Sequence, residues 1–163
     1  MRYKLQPLVL LCFFFSSAIC AQTTKIVSLL NSQFYKEQKM YKASDSERPI
    51  LFKAYEIVND SLRYSLRKTR QNKPLVSEIS VALKDIITLD RDFNVIFRAK
   101  PGSVSGKIFL LKHGQQSELV SSYNDDMFFT ALKMDQDDSK FKKKLLKAFS
   151  KSGYLITNKY WYY

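Results

Sequence analysis

Cysteine is almost missing from this sequence. Only Cys12 and Cys20 occur, both near the N-terminus, and a mature chain beginning at Gln22 would have none. Such a chain forms no disulfide and offers no thiol nucleophile, cysteine-held zinc or iron–sulfur cluster. Histidine is scarcer still: His113 is the single one, which excludes a two-histidine metal site. It stands beside Gly114 and reads as the exposed tip of a hairpin rather than a catalytic base. With four glycines in all, phosphate-cradling loops are not expected, and Gly106-Lys107 lacks the upstream glycine and following Ser/Thr of a P-loop. No serine sits in a glycine-flanked nucleophile elbow. The residues imply no cofactor and no metal.

What is present suffices for one folded domain. The chain has 163 residues, 45% hydrophobic and 14% aromatic, enough for a single core and too short for two. Its charge is lopsided, with 27 Lys and Arg against 15 acids, a net of +12. A surplus of that size attracts polyanions weakly and salt-sensitively, or serves solubility alone.

The first residues follow the order of a secretory signal peptide. Arg2 and Lys4 form a positive start, Leu8 to Phe15 is an unbroken apolar run, and Ser16, Ser17 and Ala18 bring small residues. The run is short of the roughly 20 apolar residues a spanning helix needs. Residues 1–21 are therefore expected to be removed after Ala21, or after Cys20. The leader resembles those of secreted proteins of the Bacteroidetes group, in which a mature chain often starts at the glutamine of an Ala-Gln pair. A lipoprotein anchored through Cys20 is the less favoured reading, because Ile19 and Ser17 depart from the usual lipidation box. The expected place is periplasmic or extracellular, with no transmembrane helix in the mature chain.

Residues 22–163 read as one α+β domain: helix and loop over 22–50, a sheet over 51–133, a helix over 138–152 and an aromatic tail over 154–163. Ile26, Leu29, Leu30, Phe34, Met40 and Tyr41 mark a helix across 24–43. Phe52–Val58 and Leu62–Lys68 flank the hairpin turn Asn59-Asp60-Ser61. Further strands are expected at Val76–Leu83, Phe93–Ala99, Lys107–Lys112 and Glu118–Tyr123. Met127–Leu132 is either a seventh strand or the lead-in to a helix. On the fourth strand Phe93, Val95, Phe97 and Ala99 alternate with Asn94, Ile96 and Arg98. Phe141, Leu145, Ala148 and Phe149 then give a helix one apolar stripe among lysines, and Gly153 ends it.

Short connections make neighbouring strands antiparallel, so six or seven strands form a sheet or partly open barrel between two helices. In order and spacing, Leu51 to Leu155 resembles a pleckstrin-homology-type barrel. The likeness rests on the hairpin-linked strands, on the step Ala82-Leu83-Lys84-Asp85-Ile86, and on the terminal amphipathic helix. Such a fold does not by itself imply a function.

Two acidic runs invite a calcium reading. Asp90-Arg91-Asp92-Phe93-Asn94 alternates oxygens, but Val95 and Pro101 stand where an EF-hand needs Gly and Glu. It reads as a polar turn. Asp135-Gln136-Asp137-Asp138 fails the same test and reads as a helix cap.

The basic residues are more suggestive. Arg63, Ser65 and Arg67 share one face of their strand, opposite Leu62, Tyr64 and Leu66. With Arg70, Arg98 and Lys100 these arginines can form an anion-binding face, or they can be a solvated face that discourages edge pairing. The end of the chain, Tyr160, Trp161, Tyr162 and Tyr163, can dock a partner or pack on its own domain as a final strand. The functional expectation is a basic binding or accessory module for an anionic glycan, a lipid head group or an envelope protein. Nucleic acid is disfavoured in an exported setting. The alternative is an envelope glycan hydrolase using an unrecognised carboxylate pair.

Overall fold

A computed structural model describes residues 23–41, 48–70, 73–133 and 139–161. The leader, the cleavage site, the Asp135–Asp138 cap, Tyr162 and Tyr163 lie outside the described residues. Helix α1 covers 23–38. Eight strands follow: β1 Ile50–Val58, β2 Ser61–Arg70, β3 Lys73–Ala82, β4 Ile86–Arg91, β5 Val95–Ala99, β6 Val104–Lys112, β7 Gln115–Asp125 and β8 Met127–Phe129. A 3-10 turn, Leu83–Asp85, separates β3 from β4, and helix α2 is Ser139–Lys151. Among the described residues no helix is long and apolar enough to cross a membrane.

The α+β class, the antiparallel pairing and the two flanking helices are as the composition and periodicity require. The strands form two open sheets. One has five strands in the order β1-β2-β3-β6-β7, the other three in the order β4-β5-β8. The hairpin-by-hairpin sequence implied by the pleckstrin-homology-type likeness breaks at β3, which pairs with β6 rather than β4. The 3-10 turn causes the break. It lifts the chain off the first sheet, and the Leu83 amide donates to the Asp60 carbonyl at 2.8 Å.

Sequence reasoning missed β4. Its Asp90 and Arg91 are buried strand residues, at 2% and 7% exposure, not part of a solvated turn. Phe93, expected to share the apolar face of β5, lies outside the strand and is 86% exposed. Ile96, expected on the polar face, is buried. Val95, Phe97 and Ala99 face the core, while on the other face Ile96 is buried and Arg98 exposed, so simple alternation does not report the environment of β5.

The core fills the space between the two sheets and the helices. Leu62, Tyr64, Val81 and Val104 from the large sheet meet Leu89, Phe97 and Phe128 from the small one. Ile26, Leu30 and Phe34 of α1 and Phe141, Leu145 and Phe149 of α2 close it. Tyr55 and Tyr64 stack with ring centroids 4.6 Å apart, and the Tyr64 hydroxyl donates to the Phe129 carbonyl at 2.6 Å. Burial pushes both phenols well above their ordinary pKa.

Local chemistry explains the boundaries. Asn59 and Asp60 both take positive φ (50° and 56°), which a two-residue hairpin turn requires. His113 and Gly114 do the same between β6 and β7, so His113 is a turn residue. At the end of α2, Gly153 has φ +85°; its amide bonds to Ser150 and the Tyr154 amide to Phe149, closing a Schellman cap.

Two sheet edges are covered by the chain itself. On β1, the Asn31 side chain of α1 takes up both backbone groups of Tyr55 at 2.9 Å each. On β4, the C-terminal tail adds a short parallel stretch, with Thr157 opposite Thr88 and Trp161 opposite Arg91.

Candidate basic groove

The five cations singled out by sequence are not brought together. Arg98 lies on the small sheet and Lys100 in the turn after β5, while Arg63, Arg67 and Arg70 lie on β2. Three of the five spend their charge inside the protein. Arg63 pairs with Glu56 at 2.8 Å, Arg98 with Asp90 at 2.9 Å, and Lys100 with Asp85 at 2.8 Å. Ser65, expected on the solvated face between Arg63 and Arg67, is fully buried. What remains without a carboxylate partner among the described residues is Arg67 and Arg70.

Arg67 lines an open groove of about 640 Å³ at the far end of the large sheet. Two further cations share the lining, Arg48 and Lys68, and neither was singled out from the sequence. The apolar lining comes from Pro49, Ile50, Leu66, Pro74, Leu75 and Leu111, with Thr69 as the one neutral polar residue. Among the described residues no Asp or Glu lines it.

The strand register places Arg67 and Lys68 on opposite faces of β2, Arg67 with Ile50 and Val76, and Lys68 with Leu66 and Leu75. Ile50 pairs with Arg67, Arg67 with Val76, Val76 with Phe109, and Phe109 with Leu119. These five residues form one row across all five strands on the face turned away from the core. Four of the five are apolar, so this end of the sheet carries hydrophobic side chains on both faces. The Arg67 guanidinium lies over the Phe52 ring, 5.6 Å from its centroid. Arg48 donates from Nε to Gln38 Oε1 at 2.7 Å. Both heads are thereby oriented without losing positive charge. Arg70 ends β2 beyond the groove and does not line it.

The aromatic tail is held by a different set of groups. Asp90 Oδ1 accepts from the amides of Lys159 and Tyr160, each at 3.1 Å, and Oδ2 accepts from Arg98 and from Thr88 Oγ1. The Asn158 side-chain amide donates to the Leu89 carbonyl at 2.8 Å. Trp161 packs against the core, and Lys142 Nζ sits 5.0 Å from its ring centroid. Tyr160 keeps 38% of its surface exposed. Tyr160 and Trp161 thus lie in a short parallel stretch paired with β4.

A signal for the groove existed in the sequence but was diffuse. Lys68 and Arg70 alternate with Arg67 and Thr69 at the end of a strand whose beginning is apolar and buried. Arg48 stands nineteen residues before Arg67, and only tertiary structure brings both to the groove. No protein-family model, curated protein or solved structure matches this chain.

Proposed function

We propose that this protein is an exported, basic binding module without catalytic chemistry of its own, and that it takes an anionic envelope ligand in the groove lined by Arg48, Arg67 and Lys68. One observation carries the reading: among the described residues the groove's lining includes Arg48, Arg67 and Lys68 and no carboxylate, whereas Arg63, Arg98 and Lys100 each pair with an acid. Charges left unpaired beside a concave surface are available to a ligand. The net charge of +12, or +10 once Arg2 and Lys4 leave with the leader, adds long-range attraction toward any polyanion.

The test is binding to lipopolysaccharide, anionic vesicles, heparin and nucleic acid in rising salt. Affinity for an envelope ligand should fall as salt rises, because exposed charge interactions are screened within about 8–10 Å at moderate ionic strength. Replacing Arg67 and Lys68 together by Gln should weaken that binding and flatten its salt dependence. Binding unchanged by the double substitution would move the site elsewhere; no salt-sensitive binding at all would end the proposal.

A further inference from the structure

We infer that the outward face of α2 docks the protein on a bilayer surface carrying anionic phospholipid. The contact is electrostatic, is made by lysines and uses no residue of the groove, so it goes beyond the reading above.

The segment Ser139–Lys151 holds six lysines and no acid. At about 100° per residue, Lys140, Lys143, Lys144, Lys147 and Lys151 fall within about 100° of one another around the helix. All five are exposed. Phe141, Leu145, Ala148 and Phe149 occupy the opposite side and are buried in the core. The sixth lysine, Lys142, turns aside to the Trp161 ring and to Asn158.

This arrangement works against the helix itself. Lysines three or four residues apart are surface neighbours and repel one another. Among the described residues none of the five pairs with an acid, whereas Arg63 and Lys100 on the surface do. Asp135, Asp137 and Asp138 precede the helix and lie outside the described residues. Lys147 and Lys151 stand nine and thirteen residues beyond Asp138, more than about two helical turns away along the chain. Solubility is served equally by mixed signs; it does not call for one sign in one row.

The place of the row selects the partner. It runs about 16 Å along the outside of a helix, and α2 contributes nothing to the groove lining. Its apolar side is committed to the core, so the helix cannot roll over and insert. A partner must meet these charges from outside. An anionic bilayer does so: it is a broad surface of one sign, toward which each ammonium acts as a point charge without a fitted pocket. Duplex nucleic acid is the rival polyanion. This face offers it no arginine, asparagine or glutamine to read a base edge, and Ser150 is the one other exposed residue of the helix.

The experiment is co-sedimentation of the purified protein with phosphatidylcholine vesicles containing rising fractions of phosphatidylglycerol. Binding should be absent on phosphatidylcholine alone and rise steeply with phosphatidylglycerol. It should vanish toward 1 M salt, where the screening length falls to about 3 Å. One lysine near an anionic surface is worth roughly fivefold in partitioning, so Lys144→Gln/Lys147→Gln/Lys151→Gln should lose on the order of 100-fold. A charge-matched control on the large sheet, Lys53→Gln/Lys107→Gln/Lys112→Gln, should lose less than about tenfold. All six lysines are exposed, so circular dichroism should match the parent in both variants. The urea midpoint of the α2 variant should hold or rise, because like charges are removed.

Unchanged vesicle binding in the α2 variant would overturn the inference, and equal losses in the two variants would reduce the effect to net charge. If Arg67→Gln/Lys68→Gln abolishes vesicle binding while the α2 variant keeps it, the groove is the lipid site instead. Salt-sensitive binding to duplex DNA that is tighter than binding to phosphatidylglycerol vesicles, and is lost in the α2 variant, would assign this face to nucleic acid.

Discussion

Strands β2, β3 and β6 each run through two different environments. At one end Leu62, Tyr64, Val81 and Val104 are buried beneath the small sheet and both helices. At the other, Arg67, Lys68, Lys73 and Pro74 are exposed and Leu75 and Leu111 only half-buried, around the groove. The same backbone pairing continues without interruption between β2 and β3 from one end to the other. What differs is what lies on top. The small sheet and the helices cover one end only, so the same continuous strands make a core there and an open groove here.

This contrast has consequences that measurement can break. The largest is in the core. Phe97 is fully buried against Phe128 and Phe149, and Phe97→Ala should cost about 3–5 kcal/mol. Leu75→Ala at the open end should cost under about 1.5 kcal/mol, because that side chain is only part-buried. Equilibrium urea unfolding reads both, and equal losses would mean the open end is covered in solution.

Second, Asp90 holds the tail strand through hydrogen bonds to two backbone amides, to Arg98 and to Thr88. Asp90→Asn should cost about 2–3 kcal/mol, since charge-assisted bonds to a buried carboxylate are lost. Hydrogen exchange at Arg91 and Leu89, whose amides bond to the tail carbonyls of Tyr160 and Thr157, should accelerate more than exchange in β2.

Third, the stacked tyrosines give the core end an alkaline limit. Burial raises the Tyr55 and Tyr64 pKa values above the ordinary 10.0. Folded protein therefore keeps protons that the unfolded chain releases above pH 10. Their contribution is full below that pH and lost as pH rises past it, by up to about 1.4 kcal/mol per tyrosine per pH unit. Tyrosinate absorbance should show two phenols titrating only as circular dichroism reports unfolding.

A smaller effect is expected at Gly106. The Tyr123 ring lies over it and occupies the space a methyl group would take. Gly106→Ala should displace that ring and cost about 1–2 kcal/mol. Smallest of all, Arg67→Gln/Lys68→Gln should change stability by no more than about 0.5 kcal/mol while weakening ligand binding. A large stability loss in that variant would make Arg67 structural, through Phe52, rather than ligand-facing.

The sequence was legible where a local rule fixes the outcome. The apolar stripe Phe141, Leu145, Ala148 and Phe149 needs only helical periodicity, and Gly153 needs only its positive φ. The Asn59-Asp60 turn and the Leu62/Tyr64 core face of β2 are of the same kind. Strand β4 was not legible. Ile86 to Arg91 does not alternate cleanly, and its charged end reads as a loop until Arg98 and the tail are placed around Asp90.

The candidate site divides in the same way. That Arg63 and Arg67 leave the core face of β2 follows from period two alone. That Arg63 meets Glu56, while Arg67 lies over Phe52 beside a groove, depends on the register of β1, which bulges twice. By itself the sequence determined one α+β domain with a basic surplus, because periodicity, turn residues and charge are local quantities that can be summed along the chain. Only the tertiary structure decided which cations are neutralised and which face a groove, because ion pairing depends on distances between residues that the chain order does not contain.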